Sequence, residues 1–164
     1  MLQNIRKYVF FDGLLSGILA TLFFDLFQIS LSYSYNIRKS KWNIVGRYFW
    51  GLKKAMYFRN DILNEPAIKY ELIVGYAIHY IIGSIFGLIY IIFNIILFSE
   101  PSFLLALVIG FSTVLGAWCI MMPYAYNIGF FASREKNQKE LLVQNLIAHF
   151  IFGVGLFAGY LLVF

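Results

Sequence analysis

The sequence predicts an all-α integral membrane protein: a bundle of four transmembrane helices with an amphipathic interfacial segment between the first two. Three observations predict it. Of the 164 residues, 61% are hydrophobic and only 13% are charged, and the mean hydropathy is +0.75. A soluble domain carries about 25% charged residues, and at this length roughly a third of the unfolded surface stays exposed after folding. The apolar residues outnumber the interior positions of a water-soluble fold, which excludes that alternative. A single cysteine, Cys119, rules out an internal disulfide.

A helix needs about 20 apolar residues to cross the hydrocarbon. The first qualifying stretch runs from about Tyr8 to Tyr33, interrupted by Asp12, Asp25 and Gln28. Arg6 and Lys7 precede it in the manner of a signal peptide, but the apolar run is too long and no small-residue cleavage pattern follows. It therefore reads as a retained helix. The second span, Leu72 to Phe98, carries only His79 and Asn94 in an apolar and tyrosine background. Ser99, Glu100, Pro101 and Ser102 then form a short turn, since proline disfavours helix in the residue before it. The third span runs from Phe103 to about Tyr126, antiparallel to the second, and the fourth from about Leu141 to Phe164. All four fall in one membrane domain, residues 1 to 164.

Between the first two spans, residues 34 to 71 hold eight basic residues, Arg38, Lys39, Lys41, Arg47, Lys53, Lys54, Arg59 and Lys69. Trp42, Tyr48, Phe49, Trp50, Tyr57 and Phe58 interleave with them. That mixture suits the headgroup region, where rings sit at the interface and cations meet anionic lipid. One or two short helices on the membrane surface are expected. A nucleic-acid-binding arm shares the character, but these aromatics need burial that the bilayer supplies, so lipid and not nucleic acid is the expected partner. The later loop adds Arg134, Lys136 and Lys139, so 11 of the 13 basic residues fall on one side. The positive-inside bias then places both termini outside the cytoplasm and the basic loops within it.

Glycine pairs at a spacing of four mark three spans: Gly13 with Gly17, Gly83 with Gly87, and Gly155 with Gly159. Such pairs let helix backbones approach closely in lipid. The partner is either another span of this chain or a second copy in a homo-oligomer.

Three ionisable side chains lie within spans: Asp25, His79 and His149. Each costs roughly 2.5 to 3.5 kcal/mol on insertion scales. Counting along the helices puts all three about 12 Å beneath the cytoplasmic face. Cys119, Met121, Met122 and Pro123 reach the same zone; Pro123 can kink the third span, and the sulfurs are soft metal ligands. The group reads as a polar clamp between helices, as a proton or ion station, or as a metal site. No HxxxH or ExxH spacing supports the metal, no HExxH or strained serine turn supports an enzyme, and no glycine-rich loop supports nucleotide use. No cofactor is identified.

The residues also resemble a known family. Gly17, Ala20, Thr21, Asp25 and Leu26 carry the resemblance in the first span, and Trp42, Asn43, Val45, Gly46 and Arg47 follow. Gly75, His79, Tyr80, Ile82 and Gly83 continue it, then Met122, Pro123, Gly129, Ala132 and Ser133, and finally His149, Phe152, Gly153, Gly155 and Leu156. Together they resemble the bacterial membrane proteins grouped as domain of unknown function 2938, over about residues 13 to 162. The chain departs from that pattern at Asn60, ahead of Asp61, where the family leads one to expect a histidine. The resemblance implies a four-span bacterial inner-membrane protein, with Asp25, His79 and His149 at family-pattern positions, and implies no activity. Three functions stay open: small-solute, proton or ion transport through the polar station; a non-catalytic assembly or partner-binding subunit; and a metal-binding membrane protein.

Overall fold

In lipid no water is available to backbone groups, so a long apolar stretch satisfies its own N–H and C=O groups by forming a helix. The computed structural model describes residues 2–35, 39–59 and 61–163, without the side chains of residues 2–8 and 35. Arg38, Asn60 and Phe164 lie outside the described residues, as do the side chains of Arg6 and Lys7. In chain order the helices are α1 (Leu2–Tyr35), α2 (Trp42–Leu52), α3 (Glu71–Leu97), α4 (Phe103–Gly116) and α5 (Gln138–Val163). Among the described residues, four stretches are long and apolar enough to cross a membrane: Val9–Ser34, Glu71–Leu97, Phe103–Ala125 and Gln138–Val163.

The third span does not finish as an ordinary α-helix. From Ala117 to Ala125 it widens into π-helical turns, and the Tyr126 N–H donates to the Met121 carbonyl at 2.9 Å. Pro123 lies inside the widened stretch. Its ring would clash with a carbonyl one turn back in a regular helix, and a wider turn relieves that clash. Where the sequence suggests a kink, the helix changes gauge.

The described residues fall into two compact units. The first comprises Met1–Lys39, Tyr80–Ser112 and Ile147–Phe164, and the second Ser40–His79 and Thr113–Leu146.

In the first unit the helices touch through glycine. Gly13 faces Leu88, Gly17 faces Gly83 and Ser84, and Gly87 faces Gly13 and Gly17, a register that makes α1 antiparallel to α3. A Cβ on Gly17 would stand 2.6 Å from the Ser84 Cα, closer than backbones tolerate. Gly155 faces Ala20 and Gly159 faces Ser16, so α5 is also antiparallel to α1. Gly110 of α4 meets Gly153 of α5. Each of the six paired glycines therefore faces another helix of its own chain. Tyr90 is fully buried, its ring 5.8 Å from that of Tyr160. At the turn joining α3 to α4, the Asn94 side chain accepts the Ser102 N–H at 2.8 Å and donates to the Glu100 carbonyl at 3.3 Å. Large apolar side chains such as Leu22, Leu26, Ile85, Phe93, Leu104 and Leu162 stay exposed, as lipid-facing positions require.

In the second unit Ile44, Tyr48, Ile62 and Ala125 form a small core, with Met121, Tyr124 and Tyr126 packed against it. Helix α2 crosses the start of α3 at two facing glycines: a Cβ on Gly46 would lie 2.7 Å from the Gly75 nitrogen. Three span ends, at Glu71, Ala125 and Gln138, belong to this unit.

Candidate functional site

One face of α1 is buried from Gly13 to Gln28, and polar groups recur within it. Thr21, Asp25 and Gln28 are spaced by four and three residues, which keeps them on one side of the helix, while Ser16, nine residues before Asp25, lies at the opposite edge of the buried surface. All four are at least nine-tenths buried, Asp25 at 9% exposure and Gln28 at 8%. The Ser16 hydroxyl donates to the Leu156 carbonyl of α5 at 3.1 Å, and the Thr21 hydroxyl to the Gly17 carbonyl one turn back at 2.8 Å. Asp25 lies nine residues before the end of its span, about 14 Å along the axis. Its carboxyl is thus held at membrane depth within protein rather than in lipid.

His149 shares the first unit with Asp25. Its half-buried ring meets Phe24, the neighbour of Asp25 on α1, edge to face at 5.5 Å. His79 belongs to the second unit, where Trp42 stacks on it with centroids 3.8 Å apart and planes inclined by 22°. Cys119 and Met122 also lie in the second unit, on the π-helical turns; Cys119 is half-buried and Met122 buried. Among the described residues, no three His, Cys, Asp or Glu side chains are grouped so as to hold a metal ion.

The basic segment holds an arrangement that reading the sequence missed. The cations of residues 34 to 71 suit headgroups, yet Arg47 is only 4% exposed and Arg59 only 9%. Arg47 forks onto Glu71, with Nε to Oε2 at 2.8 Å and Nη2 to Oε1 at 3.0 Å, while Nη1 donates to the Ile62 and Glu65 carbonyls. Arg59 pairs with Glu65 and donates to the Arg47 carbonyl at 2.8 Å. Burial, with the Arg47 charge adding to it, lowers the Arg59 pKa from its ordinary value. Glu71 also accepts from Asn43 and from the Ile68 N–H. The available signal was compositional: Glu65 and Glu71 are two of only three acidic residues in this basic stretch.

No curated protein and no solved structure matches the chain. A family model does match, over residues 14–163, and its description is protein of unknown function (DUF2938). With nearly every residue covered and four membrane-span helices in the fold, the chain belongs to the DUF2938 family.

Proposed function

We propose that this protein is a small transport or permeation protein of the bacterial inner membrane, passing protons, another small ion or a small solute along the buried polar face of α1. The observation that carries the reading is Asp25, a carboxylate on a membrane-crossing helix that is nine-tenths buried in protein. An ionisable residue at such a position costs several kcal/mol to insert and by default marks a pathway. Gln28 and Thr21 extend its polar face on either side. His79 and His149 join the proposal as imidazoles, the side-chain type that exchanges protons most readily near neutral pH. The partner this reading needs is membrane lipid. Assembly through the glycine pairs is less well supported, because the chain's own helices already occupy those faces.

The test is flux in proteoliposomes loaded with a pH-sensitive dye. Asp25→Asn preserves shape and hydrogen-bonding capacity and removes ionisation. Loss of proton or ion flux with an unchanged thermal midpoint is expected; undiminished flux across the tested solutes defeats the reading.

A further inference from the structure

The second unit carries a half-open pocket of about 230 Å³ with Phe58, Arg59, Tyr124, Asn127, Phe130 and Arg134 in its wall. Its size decides what it can take. Pockets for drug-sized ligands run from about 300 to 1,000 Å³, so this one suits a headgroup-sized molecule and not a whole lipid.

Three of the wall residues form an aromatic arc. The Phe58 and Tyr124 rings meet at 5.4 Å and the Tyr124 and Phe130 rings at 6.0 Å, both edge to face. The charges on the wall are two arginines in different states. Arg59 is neutralised by Glu65 and fixed by the Arg47 carbonyl. Arg134 is exposed and is steadied through one nitrogen, Nη1, which donates to the Asn127 side-chain oxygen at 2.7 Å. Among the described residues no carboxylate pairs with Arg134. A guanidinium has five donors, so most of its capacity remains for a ligand. Among the described residues no acidic side chain lines the pocket, which leaves Arg134 as the unneutralised charge of those residues there.

We propose that this pocket binds a phosphodiester monoanion, with Arg134 on the phosphate and the aromatic arc against the carbon skeleton. The match is by charge and shape. A phosphodiester carries one negative charge, whereas a phosphomonoester carries about 1.5 to 2, and a planar guanidinium is the side chain best fitted to two phosphate oxygens at once. The same chemistry arises as the headgroup of an anionic phospholipid or as a free, deacylated diester. The site lies on the basic second unit and is independent of Asp25 and the transport reading.

The full chain, purified in detergent, is offered phosphatidylglycerol or phosphatidylcholine, and retained lipid is counted by native mass spectrometry. A parallel titration with glycerophosphoglycerol follows the thermal midpoint. For a lipid source, wild type retains phosphatidylglycerol preferentially and Arg134→Gln lowers that retention about ten-fold, the scale of a lost charge-assisted fork. The paired change Lys136→Gln, Lys139→Gln lowers it no more than about two-fold, as diffuse surface charge does. For a free source, the soluble diester raises the midpoint of wild type and not of Arg134→Gln. Asn127→Asp gives a second check: a carboxylate within reach of Arg134 weakens binding while keeping the residue size. The proposal is overturned if neither probe is preferred, if Arg134→Gln binds like wild type, or if the two lysine changes cost as much as the arginine.

Discussion

Arg47 on α2 and Glu71 on the first turn of α3 are joined by two parallel hydrogen bonds of 2.8 and 3.0 Å, with the side chains only 5% and 11% exposed. A buried pair of this kind ties the interfacial helix to the base of a span. Removing one partner strands the other charge, a loss of about 3 to 5 kcal/mol. Glu71→Gln is therefore expected to lower the denaturation midpoint in detergent sharply. Arg47→Lys keeps the charge and loses the fork and the contacts to the Ile62 and Glu65 carbonyls, so it recovers little of wild-type stability.

Two glycines give opposite expectations for the same substitution. Gly17→Ala drives a methyl group into the Gly83 and Ser84 backbone, which a side-chain rotation cannot relieve; overpacking costs about 1 to 3 kcal/mol. Gly116 has helical dihedrals and nothing within 4 Å of an added Cβ. Gly116→Ala is expected to be neutral or to stabilise by up to about 1 kcal/mol through helix propensity. Paired unfolding curves check both, and equal effects at the two sites would contradict the packing described here.

The sequence made the four spans legible because length and hydropathy suffice to define them. It did not reveal which way the cations of the basic segment turn. Arg47 and Arg59 share their neighbourhood with lysines that stay exposed, and only the folded positions of Glu65 and Glu71 draw them inward. The glycine pairs were visible too, but not their partners, because spacing defines a face and not what lies opposite it. The same limit governs the candidate site. Asp25, His79 and His149 stand out as ionisable groups in apolar helices, while the assignment of His79 to the unit of Trp42 depends on how α3 is rotated and on Gly46 meeting Gly75.

Tyr48 predicts an alkaline limit. It is 7% exposed in the second unit, and burial, with Tyr124 adding to it, raises its pKa above the ordinary 10.0. Above pH 10 the unfolded chain loses this proton while the folded chain keeps it. The contribution to stability is therefore complete below about pH 10 and is lost as pH rises beyond it. Tyr48→Phe cannot ionise, so its midpoint should fall less steeply between pH 9 and about 11; an unchanged slope would remove Tyr48 as a source.

Asn94 is 2% exposed and answers two backbone groups of the α3–α4 turn, the Ser102 N–H and the Glu100 carbonyl. Asn94→Leu keeps the volume and leaves both groups unpaired, at about 1 to 3 kcal/mol. Asn94→Asp retains the acceptor for Ser102 and should be less damaging where the acid is protonated. Thermal midpoints of the two variants, measured at neutral and at mildly acidic pH, decide the order.

Topology gives the last test. The glycine registers make α1 antiparallel to both α3 and α5, and α4 antiparallel to α5, the alternation that four successive crossings require. Arg134 and Lys136 lie between the third and fourth spans with Lys139 at the start of the fourth, and Lys53 and Lys54 lie between the first and second, so the positive-inside bias predicts that both connections are cytoplasmic. A periplasm-active phosphatase fused after Val163 should therefore be active, and the same enzyme inserted at Lys54 or Lys136 should be silent. Activity at Lys136 with silence after Val163 would invert the orientation, and equal activity at both would mean that α5 does not cross.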